Sequence, residues 1–318
     1  MQKKTEKAKK TWFERAIFLS WYCSKGDCKF CYMSIQKDRI KDPKKARRRK
    51  EAILAEVIIS KVCGWKVEFL SGGYDSYSVP ELVAITKDIH KITGQKQWLN
   101  VGVLKKETIR RFMPHIEGVC GAVECINPKV RKEVCPSKPI QPIIRMFRDA
   151  EKLGLKKAMT IIIGIGETEK DIPSLVKFIE ENKIDRITFY ALNPHRGTIF
   201  RKGPATGYYT KWIKEIRKNC PTLQIIAGSW VNRLSEIHLL LEAGADAITK
   251  FPAINLFGTR YAKRIESEAK RAGREFTGTL TRMPDIDWNK EVDKLGFDEN
   301  LSKNMKIKLL DYINQMKK

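Results

Sequence analysis

The stretch "SWYCSKGDCKFCYMS" (residues 20–34) holds three cysteines within nine positions: Cys23, Cys28 and Cys31, spaced C-x4-C-x2-C. Gly26 lies in the loop between them, and four aromatic rings, Trp21, Tyr22, Phe30 and Tyr32, stand alongside. Thiolates this close on one loop can grip a metal centre, and a 4Fe–4S cluster is saturated by four ligands. The loop brings three, so one iron is left to take a substrate or cofactor. A structural zinc site would need a fourth Cys or His at a fitting spacing. The four histidines, His90, His115, His195 and His238, lie far off in sequence and repeat no ligand-pair spacing.

Something must hold this loop in place. From residue 16 to about 272, short strand-like runs ending in Gly, Asn or polar residues alternate with helical periodicity. The strands are expected at 16–22, 66–70, 97–101, 118–125, 157–163, 186–192, 223–227 and 246–249. The helices are expected at 43–62, 79–92, 107–113, 140–153, 169–182, 208–219, 233–243 and 259–272. Eight strand–helix pairs without a low-complexity seam predict an α/β fold, a (β/α)8 TIM-type barrel over residues 12–275. Residues 1–11 read as a mobile basic arm. Residues 276–318 read as a C-terminal extension whose segment "SKNMKIKLLDYINQMKK" is an amphipathic helix on the barrel's outside. In such barrels function sits at the C-terminal ends of the strands. The cysteine loop follows the first strand.

These residues resemble the radical S-adenosylmethionine (radical SAM) superfamily. Its members carry three cysteines after the first barrel strand, most often as C-x3-C-x2-C, with an aromatic residue before the third. Phe30 holds that position here and Tyr32 follows, with one more residue than usual between Cys23 and Cys28. The resemblance implies a 4Fe–4S cluster on Cys23, Cys28 and Cys31, with Tyr22, Phe30 and Tyr32 beside the cofactor. The open iron would bind the amino and carboxylate groups of S-adenosylmethionine. One electron then splits the sulfonium into methionine and a 5′-deoxyadenosyl radical that abstracts hydrogen from substrate.

Later strand ends extend the likeness. In "FLSGGYDSY" (residues 69–77), Gly72 and Gly73 stand where the family's Gly-Gly-Glu backbone accepts a hydrogen bond from the methionine amine, with Tyr74 in place of the Glu. "VECINP" puts Glu124 and Asn127 at the barrel mouth, within reach of the ribose hydroxyls or the amine. Arg145 on a following helix would pair with the methionine carboxylate. The plainer readings are a glycine turn, a helix cap for Asn127 and a solvated Arg145. "IIIGIGETEKD" (residues 161–171) is similar to the G-x-G-E-T-x-x-D stretch of the biotin-synthase-like branch, which implies Gly164, Gly166 and Glu167 beside the adenosine. A dinucleotide loop would need a third glycine and an acidic residue on the next strand. "FYALNPHRGT" (residues 189–198) matches that branch's L-x-P-x-x-G-T, with Tyr190 and Leu192 flanking the adenine.

Cys120, Cys125 and Cys135 lie on and after the fourth strand. They are candidates for an auxiliary iron–sulfur cluster of the kind that biotin and lipoyl synthases consume as a sulfur source, or else small buried hydrophobes. Cys63 and Cys220 read as packing residues. Clustered cysteines in a chain of this size, with no apolar run long enough to span a membrane, predict a cytoplasmic enzyme. The net charge of +25 (62 basic, 37 acidic) calls for an acidic partner or a solvated basic surface. An electron donor of ferredoxin or flavodoxin type and an acidic carrier protein bearing the substrate are the expected partners. Two activities fit. One is cofactor biosynthesis at an unactivated C–H bond, by sulfur insertion or radical rearrangement, as in biotin, lipoyl and hydrogenase-maturation enzymes. The other is modification of tRNA or another nucleic acid, contacted through the basic run at residues 41–50, though no RNA-binding module accompanies it. A cluster-carrying scaffold would leave both glycine motifs unexplained.

Overall fold

The computed structural model describes residues 8–318. All eight expected strands form: β1 (Glu14–Phe18), β2 (Lys66–Ser71), β3 (Gln97–Asn100), β4 (Ile116–Glu124), β5 (Lys156–Ile163), β6 (Arg186–Ala191), β7 (Gln224–Gly228) and β8 (Ala247–Thr249). They pair in parallel and in chain order within one sheet. A bridge between Phe13 and Ile248 brings its two edges together, so the barrel is nearly closed. Strands covered on both faces read as unbroken apolar runs, and β6 is buried at all six positions.

Local chemistry ends the helices where the strands need them to end. Val79–Thr93 starts at a capping box between Ser78 and Glu81 and stops at Gly94, whose φ of +68° suits a residue without Cβ. The expected helix 43–62 is interrupted: a 3-10 turn, Pro43–Ala46, precedes extended chain and then helix Lys50–Val62. The backbone there bonds the segment after β1 instead of itself. Arg48 N–H donates to Leu19 O at 2.8 Å, and Trp21 N–H to Ala46 O at 3.0 Å.

The basic run is also partly committed to structure. Arg48 pairs with Glu56 at 2.5 Å and donates to Tyr312 Oη at 2.9 Å; Arg47 pairs with Glu81 at 2.9 Å. Glu56, 2% exposed, holds Arg15 as well, at 2.5 Å. Burial alone would raise its pKa, but Arg15 and Arg48 outweigh burial and hold it below the ordinary carboxylate value. Glu56→Gln strips the charge from a buried network and is expected to cost about 3–5 kcal/mol in urea unfolding. Because the folded pKa is depressed, this stabilisation is present above the unfolded carboxyl's pKa of about 4.3 and is lost as pH falls through the folded value. The gap between wild type and variant should therefore shrink in acid.

At the N-terminus, residues 1–7 of the expected arm lie outside the described residues. The remainder is not loose: Lys10–Trp12 pairs in parallel with Glu275–Thr277, a strand that also crosses the expected boundary at 275/276. Helix Glu299–Met316 turns Met305, Leu309, Ile313 and Met316 inward, against Lys50–Val62. Among the described residues no helix is long and apolar enough to cross a membrane.

Candidate active site

The loop after β1 is clamped from two sides. Leu19 N–H donates to Ser71 O (2.8 Å) at the end of β2 and Ser24 N–H to Tyr74 O (3.1 Å) just beyond it; Lys29 N–H reaches Val134 O (2.8 Å), beyond β4. Cys23 and Cys28 are buried, Cys31 is half-buried, and all three thiols are free. The second glycine of the pair after β2 is what lets the loop lie this close. A Cβ on Gly73 would stand 2.1 Å from Tyr22 O and 2.5 Å from Cys23 Cβ, whereas one on Gly72 would come no closer than 3.2 Å, to Ser76 Oγ, with Leu19 Cβ in ordinary contact at 3.7 Å.

A buried cation lies close to the thiols of Cys28 and Cys31. Lys138, its side chain 13% exposed, sits 3.2 Å from Glu124 Oε1. Thr160 Oγ1 donates to the other Glu124 oxygen at 3.2 Å. Glu124 ends β4 at φ +63°, a strained conformation for a residue with a side chain and one that clusters at functional sites. Burial pushes the Cys28 thiol up to about 12, with Lys138 opposing. Burial likewise raises Cys31 against Lys138. Lys138 is itself pulled down by burial, but Glu124, Cys28 and Cys31 outweigh that and leave its pKa raised. On the short helix Pro128–Val134, Arg131 is 5% exposed and all three of its guanidinium nitrogens lack a partner. A buried cation left so is costly unless an anionic group joins it.

These features fit an iron–sulfur cluster. The three thiols are gathered on one short loop and all are free. A cluster is held by Cys thiolates on closely spaced positions and carries negative charge that the neighbouring Lys138 suits.

Beside the loop a cavity of about 1050 Å³ opens into the C-terminal end of the barrel. Of the residues expected at the cofactor, Phe30, Cys31, Tyr32, Glu124, Tyr190 and Leu192 line it. At the barrel axis, fully buried Glu68 accepts from Tyr190 Oη and Thr249 Oγ1, each at 2.6 Å. A smaller cavity of about 570 Å³ lies at the opposite mouth, where Glu14 and Glu117 pair with Arg186 and Lys156.

Other expected residues are employed differently. Tyr22 packs by its backbone against Gly73. Asn127 is a helix cap: its oxygen accepts from Lys129 N–H and Val130 N–H, and its amide donates to Asp171. Arg145 is exposed on helix Ile140–Lys152, whose Ile143, Met146, Phe147 and Ala150 face the barrel. The cation turned inward is Lys138. Gly164 and Gly166 take φ values of +103° and +121° that glycine permits. The Glu167 carboxylate folds back to accept from Gly164 N–H (2.6 Å) and Ile165 N–H (2.9 Å), holding its own loop off the cavity wall.

Cys120, Cys125 and Cys135 do not come together. Cys120 packs inside the barrel with Phe69, Trp98, Ala158 and Tyr190. Cys125 and Cys135 pack with Cys28, Phe30, Val134, Ile165 and Leu192.

Lys138, Arg131, Glu68 and Lys250 were not singled out by the sequence patterns. Glu68 had a readable signal, a lone acid inside the strand "KVEFLS". The others sit in loops or beside polar residues, where a charge attracts no notice.

Several known proteins are similar to this chain. One is an uncharacterized protein of Methanocaldococcus jannaschii, 46% identical over 290 residues (90% of this chain, 80% of that protein). Biotin synthase of Methanococcus vannielii is 24% identical over 185 residues, covering 58% of this chain and 56% of that enzyme. In fold, methylornithine synthase (PylB) matches with a TM-score of 0.65 at 18% identity, over 90% of this chain and 81% of that one. Residues 21–179 match the Radical SAM superfamily. That span opens at the cysteine loop and runs past both glycine turns into the helix after β5, and by it the chain belongs to the radical SAM superfamily.

Proposed function

We propose that this radical SAM enzyme takes a hydrogen atom from an unactivated C–H bond of a small polar molecule held inside the barrel, in a rearrangement or group transfer that serves cofactor biosynthesis. Cys23, Cys28 and Cys31 would hold a 4Fe–4S cluster, which would supply the one-electron reductive cleavage of S-adenosylmethionine to methionine and a 5′-deoxyadenosyl radical, with the electron from a ferredoxin- or flavodoxin-type donor and 5′-deoxyadenosine as the product of hydrogen abstraction. The observation that carries the reading is the polar floor of the cavity, where Glu68 fixes Tyr190 and Thr249 beside Lys250. A volume of about 1050 Å³ lies at the upper end of the roughly 300–1,000 Å³ of small-ligand pockets. Phe30 and Tyr32 add aromatic surface to the cavity beside Cys31.

Sulfur insertion has weaker support, since Cys120 is apart from Cys125 and Cys135. So has the nucleic-acid reading, since Arg47 and Arg48 of the basic run are engaged within the chain. The test is isotopic. Reconstituted protein is reduced anaerobically with S-adenosylmethionine and a small-molecule extract, or total tRNA, from archaeal cells grown in deuterium oxide. Deuterium in 5′-deoxyadenosine with the small-molecule extract is expected; deuterium with tRNA alone would overturn the reading.

A further inference from the structure

Four charged side chains line the large cavity: Glu14, Arg15, Glu124 and Lys250. Three have partners. Glu14 pairs with Arg186, Arg15 with Glu56 at 2.5 Å, and Glu124 with Lys138 at 3.2 Å. Lys250 has none: among the described residues no carboxylate comes within 4.0 Å of its Nζ. Its ammonium stands 4.5 Å from the centre of the Tyr190 ring. Cation–π attraction of this kind orients a charge without neutralising it.

The fold goes out of its way to hold Lys250 there. The residue follows β8 at φ +74°, a conformation that residues with a Cβ avoid. Gly228 on β7 leaves space for the side chain, since a Cβ there would come within 3.1 Å of Lys250 Cγ and 2.5 Å of Tyr190 Cδ1. The neighbouring acid Glu68 is a poor counter-ion. Its two oxygens accept from Tyr190 and Thr249 at 2.6 Å, and burial raises its pKa against the pull of Lys250. A single unpaired ammonium, in a cavity otherwise lined by neutral polar groups such as Ser71, Asn100 and Asn193, matches a monoanion better than a phosphate, which calls for an Arg fork or several donors.

Given the reading of this cavity as the substrate site, we propose that Lys250 is a specificity-determining residue that binds a carboxylate of the substrate. S-adenosylmethionine also carries a carboxylate, so the test separates the two. The cluster-loaded full chain is examined by saturation-transfer NMR with butyrate, butyramide and ethyl phosphate as probes, and its affinity for S-adenosylmethionine is measured alongside. Butyrate is expected to give the strongest signal. Lys250→Met should weaken butyrate binding about tenfold, a loss of roughly 1.4 kcal/mol, while Lys250→Arg restores most of it. Affinity for S-adenosylmethionine should stay level in both variants. The proposal is overturned if butyrate gives no signal, if butyramide or ethyl phosphate equals it, if the signal survives Lys250→Met, or if that variant loses S-adenosylmethionine instead. None of these readouts needs turnover. A wild type that bound butyrate but formed no 5′-deoxyadenosine would sink the proposed function and leave the carboxylate site standing.

Discussion

Cys28→Ala is expected to lose the cluster and, with it, all formation of 5′-deoxyadenosine above background, while the barrel stays folded. Cys28 is 5% exposed and packs with Phe30, Cys125, Cys135 and Val134, so its replacement leaves a small cavity costing about 1 kcal/mol. That is a minor fraction of the roughly 5–15 kcal/mol by which domains are stable. Circular dichroism should show a wild-type spectrum with a melting point a few degrees lower at most. Iron content, by contrast, should collapse, because two thiolates cannot replace three around a cubane. Cys125→Ala, equally buried in the same apolar group, serves as the control: similar stability loss, no loss of iron. If Cys28→Ala kept its iron and its cleavage activity, the loop would have only a packing role.

The second large effect should come from one added methyl group. Gly73→Ala places a Cβ 2.1 Å from Tyr22 O and 2.7 Å from Cys23 Cα, and the obstruction is backbone, which cannot swing aside. Either β2 or the cysteine loop must move. The loop is the softer of the two, so Cys23 is displaced relative to Cys28 and Cys31. Overpacking of this kind costs about 1–3 kcal/mol in stability, but the greater loss falls on cofactor loading and on the rate of S-adenosylmethionine cleavage, by about a hundredfold for a displacement near 1 Å. Gly72→Ala is the matched comparison. Its Cβ meets the Ser76 hydroxyl at 3.2 Å, a contact that a small rotation relieves, and its activity should remain within about threefold of wild type, less than 1 kcal/mol on the barrier. Equal effects from the two alanines would mean that close approach of the loop is not what the glycine pair provides.

The strands were legible because parallel strands buried on both faces leave a mark in composition: "AMTIII" and "ITFYA" can hardly be anything else. The cysteine loop was legible because its spacing is rare outside metal-binding segments. What the residues could not disclose was where each polar side chain spends its hydrogen bonds. Asn127 and Glu167 sit at the barrel mouth in sequence, yet one caps a helix and the other ties down its own turn. Helical periodicity placed Arg145 on the right element without telling which way it faced. Lys138 lies in the irregular segment "CPSKPI", and its burial depends on Glu124 across the strand end. The break at Arg47–Arg48 has the same origin, a backbone bond to Leu19 that outweighs local helix propensity. Cys120 and Cys125, five residues apart, fall into separate apolar groups because β4 carries one into the barrel and ends before the other.

One cluster, on the opening loop alone, is expected to equip this barrel for radical chemistry. Anaerobic reconstitution followed by iron and sulfide analysis, EPR of the dithionite-reduced protein and assay of 5′-deoxyadenosine tests it directly, on wild type and on Cys120/Cys125/Cys135→Ala. About four irons per chain in both proteins, with an EPR signal that changes when S-adenosylmethionine is added, is the expected result. About eight irons falling to four in the triple variant would contradict the single cluster and restore sulfur insertion. A single bound metal ion, with no sulfide and no 5′-deoxyadenosine, would contradict the claim altogether.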